Sequence, residues 1–353
     1  MTSYLEYAPY RFWDSLYVEV VMRVVITGGA GFLGRRLAAT LLQRGRLIGP
    51  AGVEAEIKKL VIFDLTAPQP PLPADPRLEV VSGNITQAEE IRSLISGETQ
   101  GVFHLAAVVS AAAEADFDLG MQVNLRATQE LLEACRHLKT PPRFIFTSSV
   151  AVFGGDMSPV IEDGTALTPQ TSYGTQKAIG ELLVNDYSRK NFVDGRALRL
   201  PTIVVRPGKP NKAASTFASS IIREPLQGQP AICPVSPESR MWILSPRRAI
   251  ESLIHAAELP TTAWGSNRAV SLPGLSVSIQ EMVDSLRDIA GDAVVGRISW
   301  QPDPFIQKMV DGWPARLAPQ RAESLGFKAD NSIKQIIQAF VEDELDGNSE
   351  IIG

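Results

Sequence analysis

Three side chains in the middle of the chain have the types and spacing of a proton-transfer unit. Tyr173 and Lys177 stand four positions apart in Tyr173-Gly174-Thr175-Gln176-Lys177, so on a helix they share one face. A phenol with a pKa near ~10 is a poor base at neutral pH, and a neighbouring ammonium favours the phenolate. Lowering that pKa by ~3 units takes roughly 4 kcal/mol of differential stabilisation. Upstream, Phe146-Thr147-Ser148-Ser149 closes an apolar run. A serine hydroxyl there would hold a substrate oxygen while Tyr173 takes its proton and hydride leaves the same carbon for a nicotinamide. A tyrosine and lysine at this spacing arise often by chance. The serine pair before them and a glycine turn further upstream make the combination specific. Neither serine lies in a GxSxG pattern, so a hydrolase reading lacks its nucleophile elbow.

The glycine turn is Thr27-Gly28-Gly29-Ala30-Gly31-Phe32-Leu33-Gly34, after the apolar run Val24-Val25-Ile26. Gly28 permits the turn, Gly31 lets backbone approach a pyrophosphate, and Gly34 lets the following helix pack closely. The first helical N–H groups, from Phe32 and Leu33 onward, then face the phosphates. The second apolar run ends at Phe63-Asp64. A carboxylate there accepts the ribose hydroxyls and repels a 2′-phosphate, which predicts NAD rather than NADP. Arg35 and Arg36 argue the other way, because a cation near the ribose would suit a 2′-phosphate. The distance from Gly34 to Asp64 exceeds the usual ~20 residues, so an insertion is expected around Gly45–Lys58. Gly83-Asn84-Ile85 would lie near the adenine, and Leu105-Ala106-Ala107 would let the cofactor rest on backbone.

These residues need a scaffold. Apolar runs at 23–27, 59–63, 78–81, 101–105, 143–147 and 197–205 alternate with helical patterns at Phe32–Arg44, Gln122–His137 and Tyr173–Lys190. Strands apolar nearly throughout, alternating with helices, predict a doubly wound Rossmann parallel sheet covered on both faces. After Pro207 the rhythm fails. The expected organisation is an extension at 1–21, a dinucleotide-binding domain at 22–205 with 240–264 returning to its sheet, an interleaved substrate lobe at 206–239 with 265–345, and a tail at 346–353. The first 21 residues hold Tyr4, Tyr7, Tyr10, Tyr17, Phe12 and Trp13. They read as an extension, or as an aromatic docking arm.

Composition narrows the classes. The chain has 353 residues, 44% of them hydrophobic, and carries a net charge of −5. It can bury a core, and it does not suit general nucleic-acid binding. No apolar run approaches the ~20 residues that span a bilayer. Cys135 and Cys233 cannot staple such a chain, which fits a reduced cytoplasmic setting. His104, His137 and His255 are far apart and no CxxC is present, so no metal site is expected.

On these residues the chain resembles the extended short-chain dehydrogenase/reductases, the group that includes nucleotide-sugar epimerases. The similarity covers roughly 22–345. It implies Ser149 as the catalytic serine with Tyr173 and Lys177, with Phe153 where the family has tyrosine. It adds Asn124 and Ser148 to the residues near the cofactor. Asn84 stands where Asp is common. Val108-Val109-Ser110, Arg199-Leu200-Pro201-Thr202, Arg206-Pro207-Gly208-Lys209-Pro210-Asn211 and Ser245-Pro246-Arg247 narrow the resemblance to a subgroup that oxidises C2 of D-erythronate, a four-carbon sugar acid, with NAD to the 2-oxo acid. This resemblance places Leu200 and Thr202 at the cofactor and Ser110 at the substrate, and it implies a homodimer through helices starting near 122 and 173. Charge supports an acid substrate independently: residues 199–248 hold eight basic residues against Glu224 and Glu238. Arg206 and Arg247 are the expected carboxylate partners, joining Ser149 and Tyr173 around the substrate. A nucleotide-sugar epimerase would use the same tyrosine and the same basic cluster for a diphosphate. A 4,6-dehydratase lacks its acidic pair, since Val150 and Ala151 stand there. A dinucleotide sensor without turnover would not need both Tyr173 and Lys177.

Overall fold

The computed structural model describes residues 21–208 and 215–345. All of the expected extension but Val21, which opens the first strand, the tail, and Lys209 and Lys212 of the basic segment lie outside the described residues.

Seven parallel strands form the frame. They are β1 (Val21–Thr27), β3 (Glu54–Asp64), β4 (Leu78–Ser82), β5 (Thr99–His104), β6 (Arg143–Ser149), β8 (Asp194–Leu200) and β12 (Ala269–Ser271), in the spatial order β4-β3-β1-β5-β6-β8-β12. Val24, Val25 and Ile26 are all fully buried, as a strand covered on both faces requires. The expected insertion is a hairpin: β2 (Arg46–Ile48) turns at 49–53 and pairs antiparallel with the start of β3. It lengthens the amino end of β3 and leaves Asp64 at the carboxyl edge.

Helix α1 (Phe32–Arg44) buries Leu37, Ala38 and Leu41 and ends on Gly45, whose φ of 67° is the left-handed cap expected there. Next come α2 (Ala88–Leu94), α3 (Ser110–Ala115) and α4 (Phe117–Gly120). The helix expected from Gln122 opens as a π-helical stretch, Met121–Arg126, before α5 (Ala127–Arg136). Helix α6 is Ser172–Arg189.

Two departures concern the second half. The run 197–205 is not one strand. Pro201 has no N–H for the ladder, so β8 stops at Leu200 and Thr202–Ile203 (β9) leaves for a small sheet, β13-β11-β9, with Arg240–Leu244 (β11) and Leu275–Ser278 (β13). For the same reason the strand in 240–264 does not return to the main sheet. Only its helix does: α8 (Pro246–Glu258) contributes Ala249, Ile250 and Leu253 to the main core. The strand that rejoins the sheet is β12, beside β8. A separate core holds Val204, Val205, α7 (Thr216–Leu226), β11 and the helices Ile279–Ala290 and Ile333–Glu344. The short parallel pair Ala231–Cys233 (β10) with Ile298–Trp300 (β14) completes it, while Ile161–Glu162 (β7) pairs with Leu317–Ala318 (β15) in a small cluster beside Phe153 and Trp242.

Candidate active site

The glycine turn sits at the carboxyl edge of β1 with little space around it. Gly28 has a φ of 71°, and a Cβ there would lie 2.6 Å from the Ala106 nitrogen. The turn therefore rests on Leu105-Ala106, as the small residues after β5 suggested. A Cβ on Gly34 would lie 2.2 Å from the Gly28 carbonyl oxygen, so α1 can start against the turn only if that residue is glycine. At Gly31 the nearest atom is 3.2 Å away, the Gly28 oxygen. No side chain caps α1 and no acid stands in its first turn. The first N–H groups and the positive dipole end, at Phe32, Leu33 and Gly34, are thus left to a phosphate. Asp64 ties strand to turn: Oδ2 accepts from the Ala30 N–H at 3.0 Å and Oδ1 from the Leu65 N–H at 2.8 Å. These residues fit a dinucleotide.

The arginines that argued for a 2′-phosphate are engaged elsewhere. Arg35 donates to the Gln69 carbonyl, and Arg36 pairs with Asp343 at 2.7 Å and Glu344 at 3.1 Å. Asn84 turns its carbonyl oxygen to Thr86, accepting from N–H at 3.0 Å and Oγ1 at 2.9 Å, and Ile85 is buried beside it.

The serine, tyrosine and lysine come together where β6 meets α6. Gly180 lets α6 approach the strand, because a Cβ there would meet the Phe146 ring at 2.6 Å. Gly174 does the same at the first turn, against the Ala151 carbonyl oxygen at 2.1 Å. Thr171 caps the helix by accepting from the Gly174 N–H. The Ser149 hydroxyl accepts from the Ala151 N–H at 3.1 Å and hydrogen-bonds the Tyr173 phenol. Lys177 is buried. Its Nζ donates to the Thr147 carbonyl at 2.8 Å and lies 4.8 Å from the Phe146 ring centre and 5.7 Å from that of Tyr173.

Burial dominates the electrostatics of both titratable groups. Burial pushes the Tyr173 phenol up to about 12, opposed by the Ser149 hydrogen bond and by the charge of Arg206. Burial pulls Lys177 down to about 7, opposed by the Glu181 carboxylate. The charge of Arg206 acts on the phenol, and the Lys177 Nζ, near the same ring, donates to the strand carbonyl.

Arg206 and Arg247 have different surroundings. Arg206 is partly buried, donates to the Ser215 hydroxyl at 2.8 Å, and has no carboxylate partner among the described residues. Its backbone carbonyl accepts from Arg223. Arg247 is taken up at the C-terminal helix by Asp343 and Glu342, both at 2.8 Å, so it is not a free carboxylate partner. The basic segment is largely neutralised from outside itself: Arg199 by Glu181, Arg240 by Glu281, Arg248 by Glu251. Arg223 pairs within the segment, with Glu224. A count of charges along the sequence cannot show acids supplied by distant elements.

Asn124 and Ser148 are both buried and engaged by protein groups. Asn124 is buried. Its Oδ1 accepts from the Val108 N–H at 2.8 Å, and its Nδ2 donates to the Val108 carbonyl and to Gln176 Oε1. Ser148 donates to Glu181 Oε1 at 2.5 Å. The Asn124 amide is thus taken up by three internal hydrogen bonds, and the Ser148 proton by Glu181. Leu105, Ala106, Ala107, Leu200, Thr202 and Ser110 stay partly exposed at strand or helix ends.

Sequence reasoning missed the polar chain beneath the site. His104 Nε2 lies 2.9 Å from Thr128 Oγ1, which itself donates to the Asn124 carbonyl, and Nδ1 lies 2.7 Å from Thr27 Oγ1. The threonine proton is committed to Asn124, so Nε2 carries the histidine proton and Nδ1 accepts. Burial first, and the Lys177 charge second, drive His104 down to about 3, so it stays neutral. Glu181 was missed too, although its place one turn beyond Lys177 was a readable signal.

Fold and site together define a nicotinamide-dependent oxidoreductase of the Rossmann type. The chain belongs to the NAD dependent epimerase/dehydratase family, whose sequence model matches residues 24–257. It is 55% identical over 322 residues to a D-erythronate dehydrogenase from Cupriavidus necator, spanning 91% of this chain and 98% of that protein. It is 47% identical to another from Haemophilus influenzae, spanning 91% and 99%. Its fold matches the crystal structure of a nucleoside-diphosphate-sugar epimerase from Agrobacterium tumefaciens with a TM-score of 0.87 and 42% identity, over 93% of this chain and 95% of that one.

Proposed function

We propose that this enzyme oxidises the C2 hydroxyl of a small sugar acid, with D-erythronate as the first candidate, to the 2-oxo acid. NAD is the proposed cofactor, because Asp64 borders the glycine turn while Arg35 and Arg36 are engaged by other groups. When bound, its nicotinamide ring accepts the hydride from C2. The Ser149 hydroxyl holds the substrate oxygen and Tyr173 takes the proton as the carbonyl forms. Lys177 and Asn124 hold the surrounding backbone through Thr147 and Val108.

The observation that carries the acid reading is Arg206, a partly buried guanidinium that acts on the Tyr173 phenol and has no acidic partner among the described residues. A substrate carboxylate would supply the missing counterion. The names of the two curated relatives agree with that chemistry. Purified enzyme with NAD and a panel of aldonates should form NADH fastest with D-erythronate and far more slowly with NADP. Arg206→Met should raise KM for the acid about thirtyfold, the loss of ~2 kcal/mol of charge-assisted binding. No NADH with any aldonate would overturn this reading. Conversion of a nucleotide sugar without net NADH would move it to the epimerase alternative.

For the assembly we propose a homodimer through the helices that start near 122 and 173, beside the exposed Phe117 and Leu119 of α4 and Leu182 of α6. No helix among the described residues is long and apolar enough to cross a membrane, and both cysteines are free and buried. A cytoplasmic setting suits them.

A further inference from the structure

Directly behind the proton-transfer residues lies a buried ion pair that the proposed mechanism does not use. Glu181 is 4% exposed and Arg199, on β8, 8%. Arg199 Nε donates to Glu181 Oε1 at 2.9 Å and its Nη2 to Oε2 at 2.7 Å, a two-pronged fit that fixes both planes. A third donor joins them: the Ser148 hydroxyl, 2.5 Å from Oε1. The Arg199 guanidinium also lies 5.2 Å from the Phe153 ring centre, on the segment that leaves β6.

A buried ion pair alone is weak evidence for stabilisation, since desolvation offsets much of its attraction. What distinguishes this one is what it joins. Ser148 directly precedes Ser149, Glu181 follows Lys177 by one turn, and Arg199 directly precedes Leu200. Successive side chains on a strand point to opposite faces. Holding Ser148 back toward Glu181 therefore keeps Ser149 turned toward Tyr173. We infer that Ser148, Glu181 and Arg199 form a positioning brace, and that Ser148 acts on the reaction through Ser149, not as a ligand of the cofactor.

The inference rests on Tyr173 and Ser149 being the reacting pair, so Tyr173→Phe is measured alongside; if that variant turns over normally, the underlying reading fails first. The test proper is Ser148→Ala in the full-length enzyme, with Ser148→Thr to restore the hydroxyl. Ser148→Ala should bind NAD with unchanged affinity, keep its KM for NAD, and lose about tenfold in kcat per NAD-binding site. Ser148→Thr should recover most of that. Adding Ser148→Ala to Glu181→Gln should cost less than the two losses multiplied, because both cut the same brace. Wild-type kcat in Ser148→Ala would overturn the inference. So would a loss of NAD affinity with kcat intact, which would make Ser148 a cofactor ligand. If Glu181→Gln fails to fold, the two Ser148 variants decide the question alone.

Discussion

Tyr173 is held between opposed influences, and their balance sets how the enzyme should respond to pH. Burial keeps the phenol protonated up to about 12, while Ser149 and Arg206 favour the ionised form. Only a phenolate can take a proton, so in the oxidative direction kcat should rise with pH through the alkaline range. The reverse reaction, which needs the protonated phenol, should fall. Initial rates in both directions across pH would check this, and a flat oxidative profile would remove Tyr173 from the proton step. Tyr173→Phe should reduce turnover by about two to four orders of magnitude, the usual ~10²–10⁴-fold cost of removing a general base, while fluorescence titration still shows NAD binding. At this scale the sequence was informative about which residues meet and uninformative about what each does to its neighbour. Tyr173, Lys177 and Ser149 announced themselves by spacing. That Arg206 acts on the phenol as well depends on a loop after β9 that no periodicity reveals.

Elements deliver these side chains through close approaches. Gly174 and Gly180 let α6 lie on the end of β6 and the segment after it, and neither has a positive φ. Their need for glycine comes from neighbours and could not be read locally, unlike Gly28 or Gly45, whose turn and cap were legible in the sequence. Gly174→Ala would drive a methyl into a backbone carbonyl that cannot swing aside. Overpacking of this kind costs ~1–3 kcal/mol. The variant should lower the melting temperature by several degrees, and should lower kcat more than it raises the KM for NAD, because Tyr173 is the adjacent residue. Unchanged kcat with a lowered melting temperature would mean the first turn of α6 tolerates the shift. Pro201 illustrates the complementary case: one missing N–H divides a run that looks continuous in hydropathy. The helix expected from Gln122 is there too, but it opens with a π-helical turn that presents Asn124 to Val108 and Gln176. Hydrophobic spacing cannot tell that turn from an α-helical one.

At the scale of the whole molecule, charge is distributed by topology and not by sequence order. The basic stretch 199–248 looked like a continuous anion site. Folding instead brings Glu181, Glu251, Glu281, Glu342 and Asp343 to four of its six described basic residues and leaves Arg206 without a carboxylate among the described residues. Exposed apolar side chains stand on α4 and α6: Phe117 is 59% and Leu182 67% exposed. If they mark the dimer face, Leu182→Glu should halve the mass seen by light scattering at micromolar concentration without lowering helix content. A wild-type monomer would reject the interface outright.

The clasp formed by Arg36, Arg247 and the acids of helix Ile333–Glu344 bears on the order of events at the ribosome. The helix that carries the glycine turn emerges early, yet the carboxylates that hold its Arg36 are synthesised among the last of the described residues. A nascent chain arrested before Ile333 would have its parallel sheet but expose the face that this helix buries, and would depend on a chaperone until release. Protection from proteolysis of helix Ile279–Ala290, which shares its core with Ile333–Glu344, should therefore appear only once translation has passed Glu344.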